Sequence, residues 1–150
     1  MITTLAPAEW PRPRGYANGM TVDGPGRLIV LAGQIGWNDS GVFETDAFAG
    51  QCGQAFRNIA RLLREAGAGP EHVMKLTWFV TRKDEYLSQG REIGAAWREV
   101  FGRHFPAMSV IFVSALVEDR AKVEIEATAF LPASQQPVQP AYVPPEHSGP

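Results

Sequence analysis

Two stretches of this chain, Arg27–Gly33 (RLIVLAG) and Ala107–Ala115 (AMSVIFVSA), are apolar at odd and even positions alike. Side chains alternate sides along a β-strand, so a strand of this kind needs cover on both of its faces. Two other strand candidates divide their faces. In Val73–Thr81, Met74, Leu76, Trp78 and Val80 fall on one side, with Lys75, Thr77 and Phe79 on the other. In Ala121–Leu131, Val123, Ile125, Ala127 and Ala129 make an apolar face, and Lys122, Glu124, Glu126 and Thr128 a polar one. Against these strands stand two amphipathic helices. The first is expected to be capped by Asp46 and to run to about Ala66, because Phe48, Cys52, Phe56, Ile59 and Leu63 recur at spacings of three and four. Gly67-Ala68-Gly69-Pro70 stops it. The second spans Asp84–Gly102, with Tyr86, Ile93, Trp97, Val100 and Phe101 inward. Two helices can cover one side of a sheet. The other side is therefore expected to pack on further copies of the chain, as a homo-oligomer.

A further short strand, Tyr16–Val22, precedes the turn Asp23-Gly24-Pro25-Gly26 and is expected to form a hairpin with Arg27–Gly33. The predicted order is β-β-α-β-α-β-β. It describes an α+β subunit of one sheet with two helices on one face. The first fifteen residues, with Pro7, Pro11 and Pro13, read as irregular. Residues 132–150 hold six of the twelve prolines and one charged residue, Glu146. So few apolar groups cannot offset the cost of ordering, and the domain is expected over 1–132 with a flexible Pro-rich tail over 133–150.

Composition removes several functions. Cys52 is the one cysteine, so no intrachain disulfide and no multi-cysteine zinc site can form. It lies on the apolar face of the first helix and reads as a small buried hydrophobe. The three histidines are scattered without a ligand pattern, so no metal is expected. Fourteen basic residues against sixteen acidic ones give a net charge of -2, a poor footprint for nucleic acid. Gly50 and Gly53 permit close helix packing and do not belong to a phosphate loop. No apolar run approaches the ~20 residues of a membrane span, and Met1-Ile2-Thr3-Thr4-Leu5 lacks the features of a secretory signal. A cytoplasmic protein is the expectation.

Six segments, taken in order, carry a resemblance. They are Arg14-Gly15-Tyr16, Leu31-Ala32-Gly33-Gln34-Ile35, the helix Gln51…Asn58 ending in Glu65-Ala66-Gly67-Ala68, Val73-Met74-Lys75-Leu76-Thr77, Phe105-Pro106-Ala107-Met108-Ser109, and Val123-Glu124-Ile125-Glu126-Ala127. From about Arg14 to Pro132 the chain resembles the RidA/YjgF family of imine and enamine deaminases. The resemblance implies a chorismate-mutase-like fold and a homotrimer whose sheets face a central barrel. It also implies three ligand clefts between subunits and no metal or organic cofactor. The family's cleft takes a 2-imino or 2-amino-2-alkenoic acid. Its water-positioning glutamate falls on Glu124, its first-strand tyrosine on Tyr16, and its cleft-lining glycine on Gly33.

Several family positions hold other residues here. The arginine that clamps the substrate carboxylate is replaced by Met108, ahead of Ser109. A thioether cannot pair with a carboxylate, and loss of a desolvated charge-assisted pair costs on the order of 2–5 kcal/mol. The small hydroxyl before the cleft glycine is Ala32, the usual cysteine is Val110, and the second-helix asparagine falls near Gly94. Replacement cations in reach are Arg14, Arg103 and His104; Trp37 and Trp97 are candidates for an aromatic wall. The other reading of Glu124 is a solvated strand-face carboxylate paired with Lys75 or Lys122. The function expected is a hydrolase of imines, enamines or related small molecules rather than the standard 2-aminoacrylate deaminase, with Glu124 handling water. The alternative is a trimer that binds a small molecule without chemistry. RNA binding would need a basic groove with stacking aromatics.

Overall fold

Helix α1 (Phe48–Glu65) lies across a four-stranded sheet and sends Phe48, Cys52, Phe56, Ile59 and Leu63 into the core, all fully buried. The computed structural model describes residues 1–136. The sheet comprises β3 (Gly26–Ile35), β4 (Val73–Val80), β5 (Ala107–Phe112) and β6 (Val123–Pro132) in the order β3-β6-β4-β5. β6 is antiparallel to both neighbours, and β5 is a parallel edge strand beside β4. Beside α1 on the same face are α2 (Lys83–Ser88) and α3 (Gly90–Phe101). The α+β class, with helices on one face of the sheet, is as expected.

The core centres on Phe56. Its ring meets Trp78 of β4 at 5.4 Å between centroids, Trp97 of α3 at 5.3 Å and Phe101 at 5.8 Å, all edge-on. Edge-to-face packing sets the positive ring rim against a negative ring face, which adds to the burial term. Val123, Ile125, Ala127 and Ala129 of β6 are buried beneath the helices, as their alternation requires. In β4 a bulge between Val73 and Lys75 shifts that alternation. Val73, not Met74, therefore joins Leu76, Trp78 and Val80 in the core.

Several further expectations need correction. The chain turns at Gly24 (φ +96°), but the flanking strands do not pair. Instead β2 (Gly19–Val22) pairs with β1 (Ile2–Leu5) in a separate two-stranded ribbon. A turn sequence reverses the chain without choosing its partner, and Ile2-Thr3-Thr4-Leu5, rich in β-branched residues, competed for β2. The first residues are thus partly ordered. Asp46 does not cap α1; Ala47 occupies that position, and Asp46 pairs with Arg120 at 2.9 Å. The second helix is broken at Gln89, whose Oε1 accepts the Ala49 N–H of α1 at 3.0 Å. Finally, β5 ends at Phe112 and β6 begins at Val123, so both are shorter than predicted.

Helix α1 stops as expected. Gly67 takes φ +75°, and the N–H groups of Gly67 and Ala68 return to the carbonyls of Arg64 and Leu63, a Schellman closure. The first residues of the expected tail, Ala133–Gln135, wind into a turn. Ala133 N–H bonds to the Pro25 carbonyl at 3.0 Å, and Gln135 Oε1 accepts from His72 Nε2 at 2.7 Å. The rest of that segment, 137–150, lies outside the described residues. No helix among the described residues is long and apolar enough to cross a membrane.

Phe56→Ala should lower the unfolding free energy by about 3–5 kcal/mol, the cost of removing a buried aromatic ring from a packed core. Urea denaturation measures it. A loss below about 1 kcal/mol would mean that the aromatic cluster does not organise the core.

Candidate functional site

A cleft of about 850 Å³ runs between α3 and the edge strand β5. Its floor is Trp78, Met108 and Val110, and its wall is Tyr86, Ile93 and Trp97. The edge position makes this possible, since among the described residues β5 is the last strand of the sheet and its helix-facing side chains are only half covered. Glycine keeps the cleft open. Gly90 and Gly94 of α3 and Gly102 at its end line the wall without side chains, and a Cβ at Gly90 would meet nothing within 4 Å. Trp97 stacks on Phe101 at 4.1 Å and lies nearly parallel to Phe105, at 6.1 Å and 7°. Burial pushes the Tyr86 phenol up, so it stays a neutral hydroxyl at ordinary pH.

Three guanidinium groups stand around this apolar interior: Arg14, Arg98 and Arg103. Among the described residues none of the three has a carboxylate partner or a side-chain hydrogen bond. Two of the replacement cations expected from sequence, Arg14 and Arg103, thus share a cleft with Met108. Arg98 was not anticipated. The signal available was its place beside Trp97 and four residues after Gly94, on the helix face that a missing side chain leaves open. His104 does not join them; its Nε2 lies 2.7 Å from the Val73 carbonyl oxygen and is spent on that bond.

Glu124 stands on the opposite face of the sheet. It alternates with Ile125, which is buried under the helices, and it pairs across β6–β4 with Phe79. Beside it β3 is irregular between Leu31 and Gln34. At Gly33 the absence of a side chain lets the Glu124 carboxylate lie against the strand backbone; a Cβ there would fall inside contact distance of that carboxylate and 2.6 Å from its Cγ. Neither lysine neutralises Glu124. Lys75 Nζ donates to Ser109 Oγ at 2.9 Å, and Lys122 Nζ pairs with Glu85 at 2.9 Å. The structure thus does not contain the lysine pairing that was the other reading of Glu124.

The remaining candidates are dispersed. Ser109 is on the Glu124 side of β5, bonded to Lys75. Ala32 is exposed on β3, and its carbonyl accepts from Gln34 Nε2 at 3.0 Å. Tyr16 is 42% exposed and lines a second groove with Trp10, Pro11 and Met20, which meets the first at Arg103 and Phe105. Trp97 is in the cleft wall, whereas Trp37 packs on Phe43 away from it. Cys52 is fully buried and burial pushes its thiol far up, so it is no nucleophile. One chain therefore brings Arg14, Arg103 and Met108 together on one side of the sheet, and Glu124 with Gly33 on the other.

Residues 11–131 match the family described as endoribonuclease L-PSP. The chain is 31% identical to the 2-iminobutanoate/2-iminopropanoate deaminase of Escherichia coli (strain K12) over 134 residues, covering 86% of this chain and 98% of that protein. It is 29% identical to the Homo sapiens protein of the same description over 115 residues, covering 76% of this chain and 78% of that one. Among solved structures, the conserved Rid family protein YyfB from Yersinia pestis superposes with a TM-score of 0.75 at 29% identity, covering 87% of this chain and 98% of its own. Rv2704 of Mycobacterium tuberculosis, of the YjgF/YER057c/UK114 family, gives a TM-score of 0.57 at 32% identity, covering 78% and 87%.

Gly33→Ala should push the Glu124 side chain off the strand while leaving the fold intact, since Gly33 does not hold a positive φ. The melting temperature should stay within about 4 °C, the shift that ~1 kcal/mol produces. The side-chain carboxyl resonance of Glu124 should move in a carbon-detected NMR spectrum. An unmoved resonance would mean that Gly33 does not seat the carboxylate.

Proposed function

Because this chain belongs to the RidA/YjgF (endoribonuclease L-PSP) family, we propose that it is an imine deaminase whose clefts are completed between copies of a homotrimer. The observation that carries this is the Glu124 carboxylate, unpaired among the described residues and seated over Gly33 on a sheet face that no helix of the described residues covers. That face also presents Leu28 and Val30, 66% and 70% exposed, and Ile111 at 44%. Large apolar side chains so exposed on one face favour association. Docking that face against further copies buries them and brings one copy's Glu124 towards the α3–β5 cleft of the next.

The chemistry follows from the groups available. The substrate is a 2-imino acid, and Arg14 and Arg103 hold its carboxylate in place of the strand arginine that Met108 replaces. Glu124 accepts a hydrogen bond from a water and takes its proton as the oxygen adds to the imine carbon. The C=N double bond becomes a C–N single bond as protonated Glu124 passes that proton to the nitrogen, which gives a carbinolamine. The Glu124 carboxylate then takes the carbinol O–H proton and delivers it to the nitrogen, C=O forms as the C–N bond breaks, and a 2-oxo acid and ammonia leave. Atoms balance as imine plus water giving ketone plus ammonia, with no redox change. A carboxylate in this role serves best when shielded from bulk water, as an interface would shield it. The relatives that carry the deaminase description support this reading at the level of reaction class. The second reading, a trimer that binds a small molecule without chemistry, is favoured by Met108, Ala32 and Val110, apolar residues where the family's cleft carries polar ones.

Ammonia release from 2-iminobutanoate or a bulkier imine should be measurable and should fall at least ~100-fold in Glu124→Gln, the usual worth of a general base. Unchanged turnover would remove Glu124 from the mechanism, and no turnover of any imine would leave the binding reading. Met108→Arg should raise turnover of small imino acids by about one to three orders of magnitude, as a recovered pair of ~2–4 kcal/mol allows. Sedimentation should give about three times the 16.4 kDa chain mass; a stable monomer would exclude the shared cleft.

A further inference from the structure

We infer that the substrate of this cleft is a 2-imino acid with an aromatic or similarly bulky apolar side chain, and that Arg98 of α3 selects it by taking part of the carboxylate's charge. The inference rests on the deaminase reading for its chemistry, but its binding part stands on the cleft alone.

The first support is size and lining. Pockets of ~300–1,000 Å³ take ligands of drug size, and the α3–β5 cleft measures about 850 Å³. The acids named for the relatives, 2-iminopropanoate and 2-iminobutanoate, would occupy a small part of it. The interior offers almost no hydrogen bonds to a polar ligand. Trp78 and Trp97 are buried at 4% and 5% exposure, and their indole nitrogens are fully enclosed. What faces the space is ring surface, Met108 and Val110. Methionine is flexible and polarizable and packs well on aromatic edges. At the mouth, Phe105 is 39% and Leu87 67% exposed; both would lose water contact against a bulky group.

The second support is charge. Arg14, Arg98 and Arg103 face one apolar cleft from three different segments, and no carboxylate of the described residues neutralises them. Like charges gathered around a low-dielectric surface repel unless an anion joins them. Guanidinium groups bind carboxylates through paired N–H donors. Arg98 is the one anchored on a regular helix: a Cβ at Gly94, one turn earlier, would lie 3.5 Å from its Nη1. The guanidinium thus lies back over the glycine, along the cleft wall. The ligand that satisfies both observations has an apolar body and a carboxylate head. Among 2-imino acids, that is one with a large side chain.

The test uses the intact chain and two product-like acids. In titration calorimetry, phenylpyruvate should bind at least ~10-fold more tightly than pyruvate, the factor expected from burying a ring. Arg98→Ala should weaken phenylpyruvate binding by about tenfold or more, with near-ultraviolet circular dichroism confirming that the aromatic stack is kept. Gly94→Leu, which fills the cleft with little strain on the helix, should erase the preference for phenylpyruvate. Turnover is measured in parallel on imines made in place from phenylalanine and from alanine by an amino-acid oxidase. Preferential binding of phenylpyruvate without turnover of either imine supports the ligand class and defeats the deaminase reading. Turnover of both imines at equal efficiency, with equal binding of the two acids, overturns the ligand class and leaves the deaminase reading standing. Binding of phenylpyruvate unchanged in Arg98→Ala overturns the role given to Arg98.

Discussion

The helices of this chain cover one face of its four-stranded sheet and leave the other bare, and most of its properties descend from that asymmetry. Phe56 draws α1, α3 and β4 together around one ring, which places the two long helices on the same side. β6 in the interior of the sheet can then bury Val123, Ile125, Ala127 and Ala129 while its alternate residues, Glu124 among them, face away. Burial of apolar area drives the first arrangement. The second leaves Leu28, Val30 and Ile111 in water, a cost that association with further copies would recover.

Two polar side chains of α1 join this core to the loops that hold the site. Gln51 is fully buried yet satisfied: its amide nitrogen donates to the Thr45 and Arg120 carbonyls, and its oxygen accepts the Lys122 N–H. It ties the entry to β6 to the helix, at Lys122 just before Glu124. Asn58 donates to the Ile35 and Trp37 carbonyls at 3.1 and 2.9 Å, fastening the end of β3 just past the Gly33 irregularity. Gly36 must be glycine for this, since a Cβ would stand 2.6 Å from that of Gln51. Buried amides with all partners present are costly to disturb. The seat of Glu124 is thus built from the helical side of the sheet, through hydrogen bonds at the ends of its strands.

Met108 also has a structural meaning. On the edge strand, that side chain turns to the helix side and contacts the core around Trp78 and Trp97. Methionine therefore extends the aromatic floor outward while positive charge gathers at the rim on Arg14, Arg98 and Arg103. The cleft separates an apolar interior from a charged mouth, an arrangement suited to a ligand that is itself divided in the same way.

Much of this was legible from residue order. The three-four spacing in α1, its glycine stop and the alternation in β6 each follow from local geometry, and all three appear as read. The strand residues apolar on both faces announced an uncovered sheet side. Met108, Arg14, Arg103 and Glu124 are likewise legible in the sequence as candidates. What it could not decide was long-range: that β2 pairs with Ile2–Leu5 and not with β3, that a bulge turns Val73 inward in place of Met74, and that Gln89 breaks the second helix to bond Ala49. Nor could it place Arg98 beside Met108, or set Met108 and Glu124 on opposite faces of one sheet. The reason is physical. Periodicity and turn chemistry act over a few residues and are written in neighbouring side chains. Strand pairing, register and convergence on a cleft depend on which distant surfaces compete for burial, and only the folded chain resolves that competition.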